Sequence, residues 1–180
     1  MKSGKGSQFE RDIAKMLSRW WTDGKRDDVF WRSQQSGGRA TQRAKSGLDT
    51  ANQQGDLQAM DSIGQPFIDR VCVELKCGYP KFSFDAILNS RQKDTLFAKF
   101  ISQCRRETEG TERNWLLIVK QDFKLPVCVY GIGFVRFLNE HNVRPGGNCL
   151  VIRCGEEREM FMACVLEEFL KSVPCHIFGA

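Results

Sequence analysis

The chain has 180 residues and a mass of 20.6 kDa, enough for one domain whose core needs no disulfide or metal to hold it. Its composition, 41% hydrophobic and 27% charged with a mean hydropathy of -0.40, excludes a disordered, collagenous or coiled-coil chain. No apolar run approaches the roughly 20 residues of a membrane span. Charged residues also occupy the place of a secretory signal's apolar segment, so we expect a cytoplasmic protein with no membrane partner.

The first half of the chain is expected to open with a helix and continue in short strands. Ser7 and Glu10 form a capping-box pattern, after which apolar residues recur at helical spacing to about Trp21. Two later strand-like runs are separated by Ser-Ile-Gly-Gln-Pro, which predicts a hairpin. The predicted elements are a helix over 7–21, a strand over 29–32, a loop over 33–54 and strands over 55–61 and 68–76.

The second half mixes helices and strands. Leu96, Phe97, Phe100, Ile101 and Cys104 have helical spacing, and Gly110 marks the expected end of that helix. The whole order of elements predicts an α/β fold with a mixed central β-sheet flanked by helices. The further predicted elements are strands over 115–119, 127–132, 150–153 and 160–163 and helices over 134–140 and 166–173.

Eight cysteines lie scattered along the chain without a CxxC pair. Most stand beside Val, Ile, Leu or Met, which is typical of core residues. A zinc site built from Cys149, Cys154, Cys175 and His176 would have spacings unlike those of the usual zinc motifs. We therefore interpret the thiols as core residues.

The positive charge is concentrated at the start of the chain. Residues 1–50 hold 11 Lys and Arg against 6 Asp and Glu, which accounts for the whole net charge of +5. Within them, a glycine-containing loop carries cations, amides and hydroxyls and no acid, a composition suited to phosphate contacts, although a solvated surface loop would look the same. The candidate DNA-binding residues are Ser36, Gly37, Gly38, Arg39, Arg43 and Lys45.

Asp56, Glu74 and Lys76 carry the strongest chemical signal. Because side chains alternate along a strand, Glu74 and Lys76 share a face about 7 Å apart while Leu75 points the other way. Strand pairing would bring Asp56 beside Glu74, and two adjacent carboxylates call for a proton or a bridging cation. Hard oxygen ligands of this kind select Mg²⁺ or Mn²⁺. Such an ion could activate water against a phosphodiester, with Lys76 orienting or deprotonating that water.

These three residues resemble the signature of the PD-(D/E)xK nuclease superfamily, an Asp on one strand and Glu/Asp-x-Lys on the next. Gly55 stands where the family name has Pro. Glu10 on the opening helix, the Ser36-Gly37-Gly38 loop and Gln92 further resemble archaeal-type Holliday junction resolvases. The resemblance covers about residues 6–120 of a single predicted nuclease domain spanning 1–180, and leaves 121–180 as additional sheet and helix elements.

The resemblance implies a restriction-endonuclease-like fold and a Mg²⁺-dependent endonuclease acting on branched DNA as a homodimer. It implies metal binding by Asp56, Glu74, the Leu75 carbonyl and Glu10, and catalytic roles for Lys76 and Gln92. Apolar residues in the last third of the chain also favour a dimer contact. These are Phe134, Phe137, Leu138, Phe161 and Phe169. Such enzymes would work in the cytoplasm or at the nucleoid, and some are encoded by phages.

Several alternatives stay open on the sequence alone. Glu-x-Lys on a strand can be a solvated ion pair, Glu10 can simply complete the capping box, and Gln92 can be a polar residue of a first helical turn. A restriction or repair nuclease acting on linear or single-stranded DNA fits the same motif, as does a non-catalytic DNA-binding module. No GxxxxGK[ST] motif is present, so no nucleotide cofactor is expected.

Overall fold

The computed structural model describes residues 3–33, 55–80, 82–83, 96–154 and 159–179. The helices are α1 (Ser3–Trp21), α2 (Gln65–Arg70), α3 (Leu96–Thr108), α4 (Ile132–Glu140) and α5 (Leu166–Ser172). Single 3₁₀ turns occupy Ser62–Gly64 and Cys175–Phe178. The strands are β1 (Phe30–Arg32), β2 (Leu57–Ala59), β3 (Val71–Cys77), β4 (Asn114–Lys120), β5 (Val127–Gly131), β6 (Leu150–Cys154) and β7 (Glu159–Val165).

The centre of the fold is a five-stranded mixed sheet in the order β3-β4-β5-β7-β6. β3 and β4 run parallel, which requires a crossover connection, and α3 lies on that crossover. The other neighbours in the sheet pair antiparallel. This arrangement confirms the predicted α/β class with a mixed central sheet flanked by helices.

The predicted hairpin of residues 55–61 with 68–76 is wrong. β2 pairs antiparallel with β1 instead, and Trp31 lies opposite Gln58. Residues 65–70, partly assigned to a strand, form α2, because Pro66 at its start and a 3₁₀ turn capped by Asp61 favour helical geometry. Phe67 and Ile68 are then buried on the inner face of α2. The strand begins only at Val71.

Two apolar layers cover the two faces of the central sheet. Alternate residues of β4 supply both layers, with Leu116 and Ile118 on one side and Leu117 and Val119 on the other. The larger layer holds residues of α1, α2, α4 and α5, and the smaller one holds the apolar face of α3. β3 is therefore an edge strand covered by α1 and α2 on one face and α3 on the other.

The apolar residues of the last third fill the core rather than a free surface. Phe134, Leu138 and Phe169 are 1% exposed and Phe161 is 3% exposed, and Phe137 packs partly buried against the same core. The expectation that they form a dimer contact is therefore wrong. They are needed because β5, β6 and β7 extend the same sheet and both faces of it must be covered.

Most of the described thiols are buried, as predicted, and Cys77, Cys149 and Cys175 are partly buried against the larger apolar layer. Cys72, Cys104, Cys128 and Cys164 are buried. The suggested zinc set includes Cys154, whose side chain lies outside the described part of the chain, and no group of three or more His, Cys, Asp or Glu that could hold a metal occurs among the described residues. Across the same residues, no helix is both long and apolar enough to cross a membrane.

Candidate active site

Glu74 and Lys76 lie at the carboxyl half of β3, on the face covered by α3. Glu74 is only 3% exposed, and its Oε1 accepts hydrogen bonds from Lys76 Nζ and from Gln103 Nε2, the latter at 2.7 Å. Leu75 points to the opposite layer, where it joins the larger apolar core, as strand alternation predicts. A buried carboxylate beside a partly buried ammonium is costly in free energy of folding, so this pair is a candidate functional site.

Asp56 reaches Glu74 without a hairpin. Its backbone N–H donates to the Val73 carbonyl at 2.8 Å, and its Oδ2 accepts from the Leu75 N–H at 2.9 Å. These two bonds dock the residue just before β2 against the free edge of β3. The prediction that Asp56 lies beside Glu74 therefore holds, although the pairing that was expected to produce it does not form.

Gly55 makes this approach possible. Its φ is +94°, a left-handed conformation that favours glycine, and a Cβ there would lie 2.9 Å from the Val73 carbonyl oxygen and 3.0 Å from Cys72 Sγ. Proline cannot adopt this φ. The glycine in place of the family's proline is therefore a local requirement of this chain.

The donor atoms of this site suit a divalent cation. Asp56 Oδ1 and Glu74 Oε2 accept no hydrogen bond from the described residues, and both side chains line one cleft of about 280 Å³. Because the N–H and C=O of one residue point to the same edge of an extended strand, we expect the Leu75 carbonyl at the edge where its N–H donates to Asp56. Two carboxylate oxygens and a carbonyl oxygen are ligands that Mg²⁺ and Mn²⁺ prefer.

The electrostatics of the cleft also favour a cation. Burial, followed by the charges of Asp56 and Glu107, raises the pKa of Glu74 to about 9 against the opposing effect of Lys76. Burial raises the pKa of Asp56 to about 6, although the Leu75 amide and Lys76 oppose it. Burial acts to lower the pKa of Lys76, but the Glu74 carboxylate outweighs it and that pKa is raised. A bound divalent ion would favour the ionised form of both acids.

Glu10 lines the same cleft from α1. Its Oε2 lies 3.3 Å from Nη1 of Arg32 on β1, which also donates to Ser7 Oγ at 2.7 Å. The capping-box interpretation of Glu10 is wrong, because α1 already begins at Ser3 and Ser7 lies inside the helix. Glu10 is thus anchored to the β1–β2 ribbon at the rim of the cleft.

Gln103 and Glu107 on α3 belong to this site, and the sequence analysis did not identify them. Gln103 Nε2 donates to Glu74 Oε1 and, at 2.8 Å, to Glu107 Oε1. Both residues flank the buried stripe of α3, which is the helical position that faces a neighbouring strand. That position is the only sequence signal that could have found them.

Two groups of predicted residues lie outside the described part of the chain. One is Gln92, expected at the start of the later helix. The other is the set of candidate DNA-binding residues, Ser36, Gly37, Gly38, Arg39, Arg43 and Lys45. Their assigned roles stay predictions.

The whole chain was compared with families and with individual proteins. Residues 1–176 match the family described as "Phage putative PDDEXK endonuclease". No curated protein and no solved structure matches the chain. The family match covers nearly all of the sequence, and Asp56, Glu74 and Lys76 lie within the matched range. The chain belongs to this family of phage PDDEXK endonucleases and is a PD-(D/E)xK nuclease.

Proposed function

We propose that the cleft around Asp56, Glu74 and Lys76 is the active site of a Mg²⁺-dependent DNA endonuclease, with Mn²⁺ able to substitute. One observation carries the proposal. Asp56 and Glu74 each retain a carboxylate oxygen without a hydrogen bond from the described residues, in one cleft beside the partly buried Lys76. Burial raises the pKa of both acids, and the charge of Asp56 raises that of Glu74 further, so a cation between them would favour their ionised forms.

In this proposal Asp56, Glu74 and the Leu75 carbonyl hold the metal. When bound, the ion places positive charge against the phosphodiester and makes water more acidic. Lys76 keeps its proton, since its pKa is raised, and so orients the attacking water and donates to the phosphate as negative charge develops. Glu10 lines the cleft and would assist in holding the same ion through water, or would hold a second ion. Attack on the phosphate leaves a 5′-phosphate.

We further propose branched DNA as the substrate. The support is the resemblance to archaeal-type Holliday junction resolvases in Glu10, the Ser36-Gly37-Gly38 loop and Gln92, together with the concentration of positive charge in residues 1–50. Arg39, Arg43 and Lys45 are proposed to contact phosphates, with Ser36, Gly37 and Gly38 beside them. A cytoplasmic or nucleoid location suits such a substrate.

A cleavage assay tests the proposal. The assay uses four DNA substrates, each with Mg²⁺ or with EDTA: a four-way junction, a flap, a linear duplex and a single strand. The proteins compared are wild type, the site variants Asp56→Asn, Glu74→Gln and Lys76→Ala, and the control Asp69→Asn. Asp69 is an exposed acid on α2 whose carboxylate accepts only from Gln65 among the described residues, so this control removes an acid without touching the cleft. We expect symmetric nicking of the junction by wild type and Asp69→Asn, and a loss of at least about 100-fold in the three site variants with DNA binding retained.

Each other outcome has a definite meaning. Preferential cutting of linear or single-stranded DNA keeps the nuclease site and replaces the substrate by one of restriction or repair. DNA binding with no cleavage, and no heat of Mn²⁺ binding that depends on Asp56 and Glu74, would identify a non-catalytic DNA-binding module. Metal-dependent cleavage retained in all three site variants would place the active site elsewhere.

We also propose that the enzyme acts as a homodimer. A four-way junction is resolved by two cuts, which a two-fold assembly delivers symmetrically. The edge strand β6 supports this, because Leu150 is 61% and Val151 54% exposed there. Light scattering with and without junction DNA checks it, with Leu150→Lys as the interface variant. A monomer at every working concentration, with DNA bound, would contradict the dimer.

A further inference from the structure

Gln103 stands at the junction of the sheet and α3 and touches two acids at once. A glutamine side-chain amide has two N–H donors on its nitrogen. In this protein Nε2 lies 2.7 Å from Glu74 Oε1 and 2.8 Å from Glu107 Oε1, so each donor has its own carboxylate. The neutral amide thereby links two acids that would otherwise repel each other.

The side chain is held in place by its helix. Phe100, Ile101 and Cys104, which surround Gln103 on α3, are buried in the smaller apolar layer against the sheet. Glu107, one turn further along, accepts the second amide hydrogen and can also accept from Cys72 Sγ at 3.9 Å on β3. Two features therefore hold Gln103 in place independently of Glu74. Its helical neighbours pack against the sheet, and its side chain donates a hydrogen bond to Glu107.

The consequence for Glu74 is a fixed orientation. Gln103 and Lys76 both donate to Oε1, while Oε2 accepts from neither. A carboxylate that is free to rotate about its last torsion would exchange the two oxygens. The Gln103 bond removes that freedom and also keeps Oε1 paired if Lys76 turns toward a substrate.

We propose that Gln103, anchored by Glu107, is a positioning residue that holds the Glu74 carboxylate with Oε2 available to the metal. The inference rests on the proposed function of the cleft and extends it to α3. Gln103 acts through Glu74 and is not itself a metal ligand. Partners of this kind fix the orientation of ligands in metal sites, and their removal costs about 10- to 100-fold in metal affinity or activity.

The test measures Mn²⁺ binding by calorimetry without DNA, and kcat and KM with DNA, for wild type, Gln103→Leu and Gln65→Leu. Gln65 is the matched control, because its Nε2 also donates to an acid one turn away, Asp69 at 2.7 Å, but on the exposed face of α2 and outside the cleft. We expect Gln103→Leu to bind Mn²⁺ about 10- to 100-fold more weakly and to lose kcat with KM for DNA unchanged. Gln65→Leu should match wild type in all three quantities.

Two variants of Glu107 separate geometry from charge. Glu107→Gln keeps an oxygen acceptor for Gln103 and should retain wild-type Mn²⁺ affinity. Glu107→Leu removes the anchor and should weaken Mn²⁺ binding, which tests the proposal even if Gln103→Leu fails to fold. If Glu107→Gln weakens binding as much as Glu107→Leu, the charge of Glu107 matters and not the hold on Gln103.

Failure of this inference and failure of the proposed function give different results. Wild type that binds Mn²⁺ and cleaves DNA, together with a folded Gln103→Leu that does both equally well, would overturn the positioning role alone. Wild type that takes up no Mn²⁺ and cleaves none of the four DNA forms would overturn the proposed function and the positioning role with it. Unchanged thermal unfolding of Gln103→Leu alongside weaker Mn²⁺ binding would exclude a merely structural role.

Discussion

At the scale of single residues, the site depends on one glycine as much as on its acids. Gly55 combines a positive φ with a close approach to β3, and the next residue delivers the carboxylate. A side chain at this position would press on the Val73 carbonyl, which accepts the hydrogen bond that docks Asp56. A substitution at Gly55 should therefore disturb both the backbone of β3 and the position of the Asp56 carboxylate.

We predict that Gly55→Ala destabilises the fold and weakens the site together. Gly24→Ala is the matched control, since Gly24 has a φ of +79° but nothing within 4 Å of its Cβ position. Gly24→Ala should lose about 1 kcal/mol of unfolding free energy, because alanine is strained at a positive φ. Gly55→Ala should lose about 2–4 kcal/mol, because the steric contact of its Cβ with β3 adds to the same strain. Denaturant unfolding and Mn²⁺ calorimetry measure both effects. Equal losses in the two variants would show that the close approach does not matter.

At the scale of elements, hydrophobic spacing predicted most of the helices and strands but not the connection between β2 and β3. The run Phe-Ile-Asp-Arg-Val-Cys-Val is apolar across a helix–strand boundary, and no local period marks where α2 ends at Arg70. The boundary is set by tertiary packing, because Phe67 contacts aromatic rings from α1, β1 and the C-terminal 3₁₀ turn. The four rings belong to Trp20, Trp21, Phe30 and Phe178, and their centroids lie 5.2–5.9 Å from that of Phe67.

In the candidate site too, local spacing predicted some residues, and tertiary packing determines the others. Glu74 and Lys76 could be predicted to lie together from residue type and spacing, since an acid and an amine at alternate strand positions must share a face. Asp56 is singled out by its resemblance to the nuclease signature, and the hairpin that was expected to place it does not form. Gln103 and Glu107 could not be predicted, because their contact with Glu74 depends on how α3 lies across the sheet. The position of Gln103 and Glu107 beside the buried stripe of α3 indicates which face of the helix they share, but no spacing in the chain indicates that this face meets Glu74.

The packing of α2 predicts a large loss of stability for Phe67→Ala. Phe67 is 1% exposed, so its removal leaves a cavity in the larger apolar layer and should cost about 3–5 kcal/mol. Ile63→Ala serves as control, because Ile63 is 46% exposed and its carbonyl bond to Trp21 survives the change. Urea unfolding compares them. A loss below about 1 kcal/mol for Phe67→Ala would contradict the placement of α2 in the core.

At the scale of the whole molecule, the cleft makes stability depend on pH and on divalent ions. Asp56 and Glu74 have folded-state pKa values of about 6 and about 9, above the ordinary values of 3.8 and 4.5. The folded state thus holds protons that the unfolded state has released. Stability therefore falls as pH rises from about 4 through the folded-state values, because folding must then keep the buried Glu74 and the partly buried Asp56 ionised in one cleft.

We predict that the metal-free protein is more stable at pH 5 than at pH 8 and that Asp56→Asn reduces this difference. The asparagine removes one charge and keeps an oxygen to accept the Leu75 N–H, so at pH 8 in EDTA it should gain on the order of 1–2 kcal/mol. Mg²⁺ should stabilise wild type at pH 8 and leave Asp56→Asn nearly unchanged, since a ligand stabilises only the state that binds it. Thermal unfolding at both pH values, with Asp69→Asn as control, measures each effect. An Asp56→Asn protein less stable than wild type in EDTA at pH 8 would show that the aspartate stabilises the empty site, contrary to the charge conflict argued for the cleft.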